Sequence, residues 1–167
     1  MRNNVPTPRP TTGASILFDG GDKVASTRGI TITAGGFTTT RGSLQAAVVS
    51  SFDTSKFARS YTVPVGTDTP VPSGASNPFA YTASFVQASE DGTVVQIDRD
   101  ADGTVDVTDT IDAGETLLTT SLREGATVAA SAPVQVHLMT GDTSATYEAR
   151  SFPLFPDNVL SSDYLSP

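Results

Sequence analysis

The chain contains no cysteine and no tryptophan, a single histidine, and only ten Lys and Arg against eighteen Asp and Glu. Without cysteine there is neither a disulfide framework nor a thiolate metal site, and redox compartment leaves no mark on the sequence. The formal charge is −8 and the basic residues are scattered singly, so the basic footprint that phosphate recognition needs is missing, which argues against a nucleic-acid partner. No run approaches the roughly 18 consecutive apolar residues of a membrane span. The opening stretch MRNNVPTPRPTTG lacks the apolar core of a signal peptide. For a secreted parent, the signal is therefore expected outside this segment. Catalytic signatures are missing too: there is no G-x-S-x-G elbow and no glycine-rich phosphate loop.

What is present points to a folded, soluble β protein. At 167 residues, 37% hydrophobic and 17% charged, the chain is long enough for one domain with a real core, or one domain and part of another. No helical period is found. Short alternating runs carry the signal instead: GITIT (29–33), SYTVPV (60–65), TASFVQAS (82–89), TVVQI (93–97), TVDVTDTI (104–111), ATVAAS (126–131) and PVQVHLM (133–139). Bounded by Gly, Pro and Asp-Gly turns at close spacing, they predict an all-β fold, an antiparallel β-sandwich or barrel with little or no helix. A single helical turn is allowed around FDTSKFA or FPDNVLSS, with Asp53 and Asp157 as N-caps.

An internal repeat is the second signal. GDKVASTRGITIT (21–33) matches GATVAASAPVQVH (125–137) at an offset of 104, and KFARSYTVP (56–64) matches VLSSDYLSP (159–167) at 103. Tyr61 then corresponds to Tyr164 and Pro64 to Pro167. A rival pairing of ARSYTVP with ARSFPLF has better local identity, but it needs an offset of 91 and a large deletion. A near-constant offset explains more residues. A period of about 103 is domain-sized, so the expected organisation is a tandem repeat of β units rather than a solenoid. Residues 1–64 would hold the terminal part of one unit and residues 65–167 the following unit, joined through GTDTPVPSGASNP (66–78).

Nine of the eighteen acids fall between Glu90 and Glu115, where only Arg99 opposes them, so the acidity is local. At its centre is DRDADGTVDVTD (98–109). Taken as a hairpin with a three-residue loop, Ala101-Asp102-Gly103, the stretch pairs Ile97 with Val107 and places Asp98 opposite Asp106. Val95, Ile97, Val105, Val107 and Ile111 then share an apolar face. Like charges directly opposite destabilise a sheet by roughly 0.2–1 kcal/mol per pair. A bound Ca²⁺ would turn that repulsion into coordination. Taken as an EF-type loop, Asp98, Asp100, Asp102, the Thr104 carbonyl, Asp106 and Asp109 fall on ligand positions, with Gly103 where glycine belongs. The flanking helices of an EF-hand are absent. A calcium loop and a solvated acidic hairpin tip are both compatible with the stretch, and the ligand frame favours calcium.

Other polar residues have structural explanations. His137 lies in VQVHLM on the strand face opposite Val136 and Leu138, the place of a surface or packing residue. Glu90 and Asp91 precede Gly92 in a turn, and Asp112 and Glu115 bracket another, DAGE; turn chemistry accounts for both. Tyr61, Phe79, Tyr81, Phe85, Tyr147, Phe152, Phe155 and Tyr164 are expected in cores or between units, with carbohydrate platforms as the alternative.

QASEDGTVVQI (87–97), IDAGETL (111–117), EGATVAASAPVQVHLM (124–139) and LSSDYLSP (160–167) follow one another as in the repeat of IgGFc-binding protein N-terminal domains, which the chain resembles from Gly21 onward. The resemblance implies a secreted or surface-displayed β-rich repeat used in adhesion or matrix building in microbes, and it brings no catalytic residues. The cysteines of the animal namesake are absent here, so its antibody binding is not carried over. The expectation is a non-catalytic extracellular or cell-surface structural or adhesive module, calcium-stabilised, with neighbouring copies or adjacent repeats as partners. The alternative is a glycan- or glycoprotein-binding module of a secreted adhesin.

Overall fold

The alternating Val- and Thr-rich runs become strands because β-branched side chains fit a pleated, half-buried surface better than a helix. A computed structural model of the chain describes residues 3–7, 16–20, 24–36, 47–142 and 149–163. Along them run β1 (Asn3–Thr7), β2 (Ile16–Gly20), β3 (Thr33–Gly36), β4 (Ala47–Ser50), β5 (Ala58–Thr62), β6 (Tyr81–Ala88), β7 (Thr93–Asp98), β8 (Val107–Ile111), β9 (Thr116–Thr120), β10 (Thr127–Gly141) and β11 (Ala149–Pro153). The described residues contain no α-helix, and none of their helices is long and apolar enough to cross a membrane.

The expected all-β class holds. β1–β2 and β3–β4 are antiparallel hairpins, and β5 to β11 form one antiparallel sheet in the order β8-β7-β10-β6-β9, with β5 and β11 also paired to β10. β10 is the spine. Its first part lies between β5 and β7, and its second part between β6 and β11. The sheet curls until its outer strands β8 and β9 approach each other, which leaves it nearly closed. One core fills the inside: Tyr61, Val86, Val95, Ile97, Val128, Val134, Val136 and Leu138 come from both parts of the sheet and pack together.

The two runs expected at 126–131 and 133–139 are one strand with a fault in it. The pairing of β10 to β5 slips between Ala129 and Val134. Pro133 has no N–H to give to a ladder, so an irregularity is expected there. Side chains repair it: Ser131 Oγ accepts the Val94 N–H at 2.9 Å, and Ser89 Oγ donates to the Pro133 carbonyl at 3.0 Å. Tyr61 spans the fault, its hydroxyl donating to the Val134 carbonyl at 2.6 Å and accepting the Ala58 N–H at 3.1 Å.

Several expectations need correction. GITIT becomes strand only at Thr33. Residues 58–62, assigned from sequence to the first unit, pair with β10, and Tyr61 and Val63 belong to the core built by β6 to β10. Both allowed helical turns exist as single 3-10 turns, Thr54–Lys56 and Asp157–Val159. Asp53 caps the first by accepting the Ser55 N–H at 2.7 Å. Asp157 does not cap the second; Pro156 holds that position, and the Asp157 carboxylate accepts the Ser60 hydroxyl instead. Phe155, expected in packing, is 61% exposed, yet its ring packs against Phe52 at a centroid distance of 5.5 Å. Tyr147, Tyr164 and Pro167 lie outside the described residues.

Loop 66–69 docks on the turn before β10 through Gly66, where an added Cβ would lie 2.1 Å from the Arg123 carbonyl carbon. Overpacking against backbone has no flexible side chain to absorb it. Gly66→Ala is expected to cost about 3 kcal/mol or more. Gly29→Ala, with open space around the new methyl, is expected to stay within about 0.5 kcal/mol of the parent. Urea denaturation with unchanged m-values checks both.

Candidate metal centre

Consecutive antiparallel strands send alternate connections to opposite ends of the sheet, and this sorts the acidic residues. The β6–β7 and β8–β9 turns meet at one end. There Asp91 accepts the Ala113 N–H at 3.0 Å, Asp112 accepts the Gly92 N–H at 2.9 Å, and Glu115 accepts the Asp112 N–H at 2.9 Å. Gly92 and Gly114 take the positive φ angles, 67° and 84°, that such turns demand. Glu90, Asp91, Asp112 and Glu115 are thus turn residues, and three of their carboxylates are committed to backbone donors.

The β7–β8 and β9–β10 connections meet at the other end. The pairing of Ile97 with Val107 is as expected. Beyond it the tight turn does not form. The ladder stops, Asp98 pairs with Thr127 of β10 rather than with Asp106, and residues 99–106 form a wider loop with Ala101 (φ 60°) and Gly103 (φ 88°) left-handed. Val105, expected on the apolar face, is 48% exposed because β8 begins only at Val107. Carboxylates take over from the missing ladder bonds. Asp98 Oδ2 accepts the Gly103 N–H at 2.8 Å, and Asp106 Oδ2 accepts the Arg99 N–H at 2.8 Å.

Of the six expected ligands, three come together: one carboxylate oxygen each of Asp98, Asp100 and Asp106 lie within 4.8 Å of one another. Ca²⁺ holds oxygen ligands at about 2.3–2.6 Å, so oxygens sharing one ion lie no more than about 5 Å apart. The spacing fits one coordination sphere. Asp98 is 7% exposed, and its Oδ1 is buried with no hydrogen-bond partner. Leaving such a group unsatisfied costs about 1–3 kcal/mol, and a cation is the partner that a carboxylate oxygen without a donor can accept.

The other three are placed elsewhere. Asp102 is exposed at the loop tip, its Oδ1 accepting the Thr104 N–H at 2.7 Å. Thr104 is exposed beside it. Asp109 is exposed on β8, paired to Val95, with its Oδ1 on the Thr110 N–H at 2.8 Å. An EF-type loop curls its last ligand back because a helix starts there. Here the chain leaves as a strand, and three residues at about 3.3 Å each carry Asp109 roughly 10 Å along β8.

Two guanidiniums flank the three carboxylates. Arg99 Nε is 3.7 Å from Asp106 Oδ2, and Arg123 Nη1 is 4.0 Å from Asp100 Oδ2. Both pairs are long and partly solvated, so each contributes little to stability. Together they leave the cluster with one uncompensated negative charge. Arg123 arrives with the β9–β10 turn, whose Arg123 N–H donates to the Arg99 carbonyl at 2.8 Å. The same turn holds loop 66–69: the Glu124 N–H donates to Asp68 Oδ1 at 2.8 Å, and Thr69 Oγ1 donates to Glu124 Oε2 at 3.2 Å. Arg123, Glu124 and Asp68 had no local signal in the sequence. Only the rule that alternate turns share an end could have placed them at the end of the sheet that holds Asp98.

Among the described residues there is a shallow groove of about 180 Å³ lined by Val94, Gln96, Ala129, Ala130 and Ser131, without an aromatic platform for a sugar. His137 lies half-buried between Phe85 and Pro153 of the neighbouring strands. No protein-family model, curated protein or solved structure matches the chain.

Burial holds the His137 imidazole below its ordinary pKa range. The unfolded chain, titrating near about 6.5, therefore takes up the proton first on acidification. The contribution to stability is complete above that value and is lost as pH falls below it. Between about pH 7 and about pH 5.5, His137→Gln is expected to flatten the decline of melting temperature. An unchanged slope would place the titrating group elsewhere.

Proposed function

We propose that the chain is a non-catalytic structural or adhesive repeat module of an extracellular or surface protein, with one loop end stabilised by calcium. The observation that carries the repeat reading is a hairpin that occurs twice in the same register. In β3–β4, Thr33 pairs with Ser50 and Gly36 with Ala47; in β10–β11, His137 pairs with Pro153 and Thr140 with Arg150. An offset of 104 on the first strand and 103 on the second converts one set of pairs into the other, and these are the offsets of the sequence repeat.

The match continues outside the ladders. The Ser51 N–H donates to the Ile32 carbonyl at 2.9 Å, and the Leu154 N–H donates to the Val136 carbonyl at 2.8 Å. The same offsets relate these two bonds. The turn Thr54–Lys56 follows β4 as Asp157–Val159 follows β11, again displaced by 103. Side-chain chemistry differs between the two copies, Asp53 against Pro156 at the turn and Gly35 against Met139 in the strand, so a shared backbone plan rather than local composition links them. On this plan a unit runs from β5 through the turn at 157–159, and residues before 58 close a preceding unit. The order of turn motifs shared with IgGFc-binding protein N-terminal repeats supports the same reading and suggests extracellular display.

Calcium enters through Asp98, Asp100 and Asp106, with the buried Asp98 oxygen as the group most in need of a cation. Adding Ca²⁺ at about a hundredfold over its Kd is expected to raise stability by about 2.7 kcal/mol, followed as melting temperature. Asp98→Asn and Asp106→Asn should each abolish the rise, and Asp109→Asn should leave it intact. No rise in millimolar Ca²⁺, or one that survives Asp98→Asn, removes calcium from the proposal.

A further inference from the structure

Residues 24–32 are placed by the offset of 104 on residues 128–136 of β10, the most heavily paired stretch of the sheet. Their surroundings are opposite. Val128 and Val134 are 1% and 0% exposed, whereas Val24 and Ile30 are 60% and 55% exposed. Residues 24–32 form no strand, and among the described residues none pairs with them in a ladder before Thr33. A Cβ added at Gly29 would meet nothing within 4 Å, so the segment lies open. It bends at Thr27 and Arg28, where the Arg28 N–H donates to Ser26 Oγ at 3.2 Å. The offset carries that bend onto Ser131 and Ala132, inside the register fault of β10.

Resting on the repeat reading, we infer that residues 24–32 are an acceptor strand whose partners are strands of the β5, β6 and β7 type from a preceding unit. In the complete unit, Tyr61, Val86, Ala88, Val95 and Ile97 of these three strands pack in the core that buries Val128 and Val134. The occupant is therefore a β-sheet segment with those apolar residues at those registers, not an arbitrary hydrophobic peptide. A lone apolar side chain on a surface needs no explanation. Here the exposed residues are the counterparts of fully buried ones, on backbone that its counterpart commits to neighbours on both sides.

The test is an extended chain, with a copy of residues 58–104 fused ahead of Met1. An offset of 104 makes Met1 the successor of residue 104, so the fusion supplies the missing β5, β6 and β7 in register. In the chain as it stands, amides of residues 24–32 should exchange with solvent at least about a hundredfold faster than those of residues 128–136; in the extended chain they should become protected to a similar degree. Val24→Asp should leave the melting temperature of the present chain unchanged and lower that of the added unit. If the extended chain gains a second cooperative transition while residues 24–32 still exchange freely, the acceptor role is wrong and the repeat reading stands. If it gains no second transition, the repeat reading fails and takes the inference with it.

Discussion

The hydroxyl of Tyr61 sits where the longest strand loses its register, and the sheet depends on that point being held. β10 must serve β5 and β7 with its first residues and β6 and β11 with its last, which a straight strand with one pair of neighbours does not do. Across the fault between Ala129 and Val134 the spine changes neighbours, at the cost of ladder bonds. Tyr61, Ser131 and Ser89 restore them from the side chains. Because Tyr61 is also 2% exposed and part of the core, the residue that mends the backbone also anchors the packing beneath it.

From the spine outward, topology decides what the acidic residues do. Alternate turns at opposite ends split the crowded stretch between Glu90 and Glu115 into two groups with different fates. At one end, two short turns use three of their four carboxylates to accept backbone N–H groups across and within the turns. At the other, the wider loop 99–106 brings three carboxylates together and supplies donors to only part of them. Arg99 and Arg123 reduce the repulsion without removing it, and the buried Asp98 oxygen is left over. An end where three carboxylates crowd together and an end where carboxylates cap turns thus follow from one strand order.

Much of this was legible in the sequence. Alternation located β5 to β8 and β10, and it agreed with the Ile97–Val107 pairing reached by counting back from a turn tighter than the one that forms. Less visible were β9, whose TLLTT has no clean alternation, and β11, whose ARSFP has none either. The single spine was obscured by Pro133, which marks a break in sequence and proves to be a tolerated fault in a continuous strand. At the acidic loop the ligand frame placed six residues together, and Asp98, Asp100 and Asp106 do lie close, whereas Asp109 is carried away because the frame assumes a helix where this chain has β8. Arg123 could not be found by spacing at all. The place of residues 58–62 beside β10 required seeing their partner.

The contact between the Ser60 hydroxyl and the Asp157 carboxylate joins the first strand of the sheet to the last turn. The chain thus enters and leaves the sheet at neighbouring points. Among the described residues β5 is paired on one side only, through β10. The first strand is thereby tied twice, through its ladder to β10 and through the closing turn, so one seam holds both the entry and the exit of the sheet.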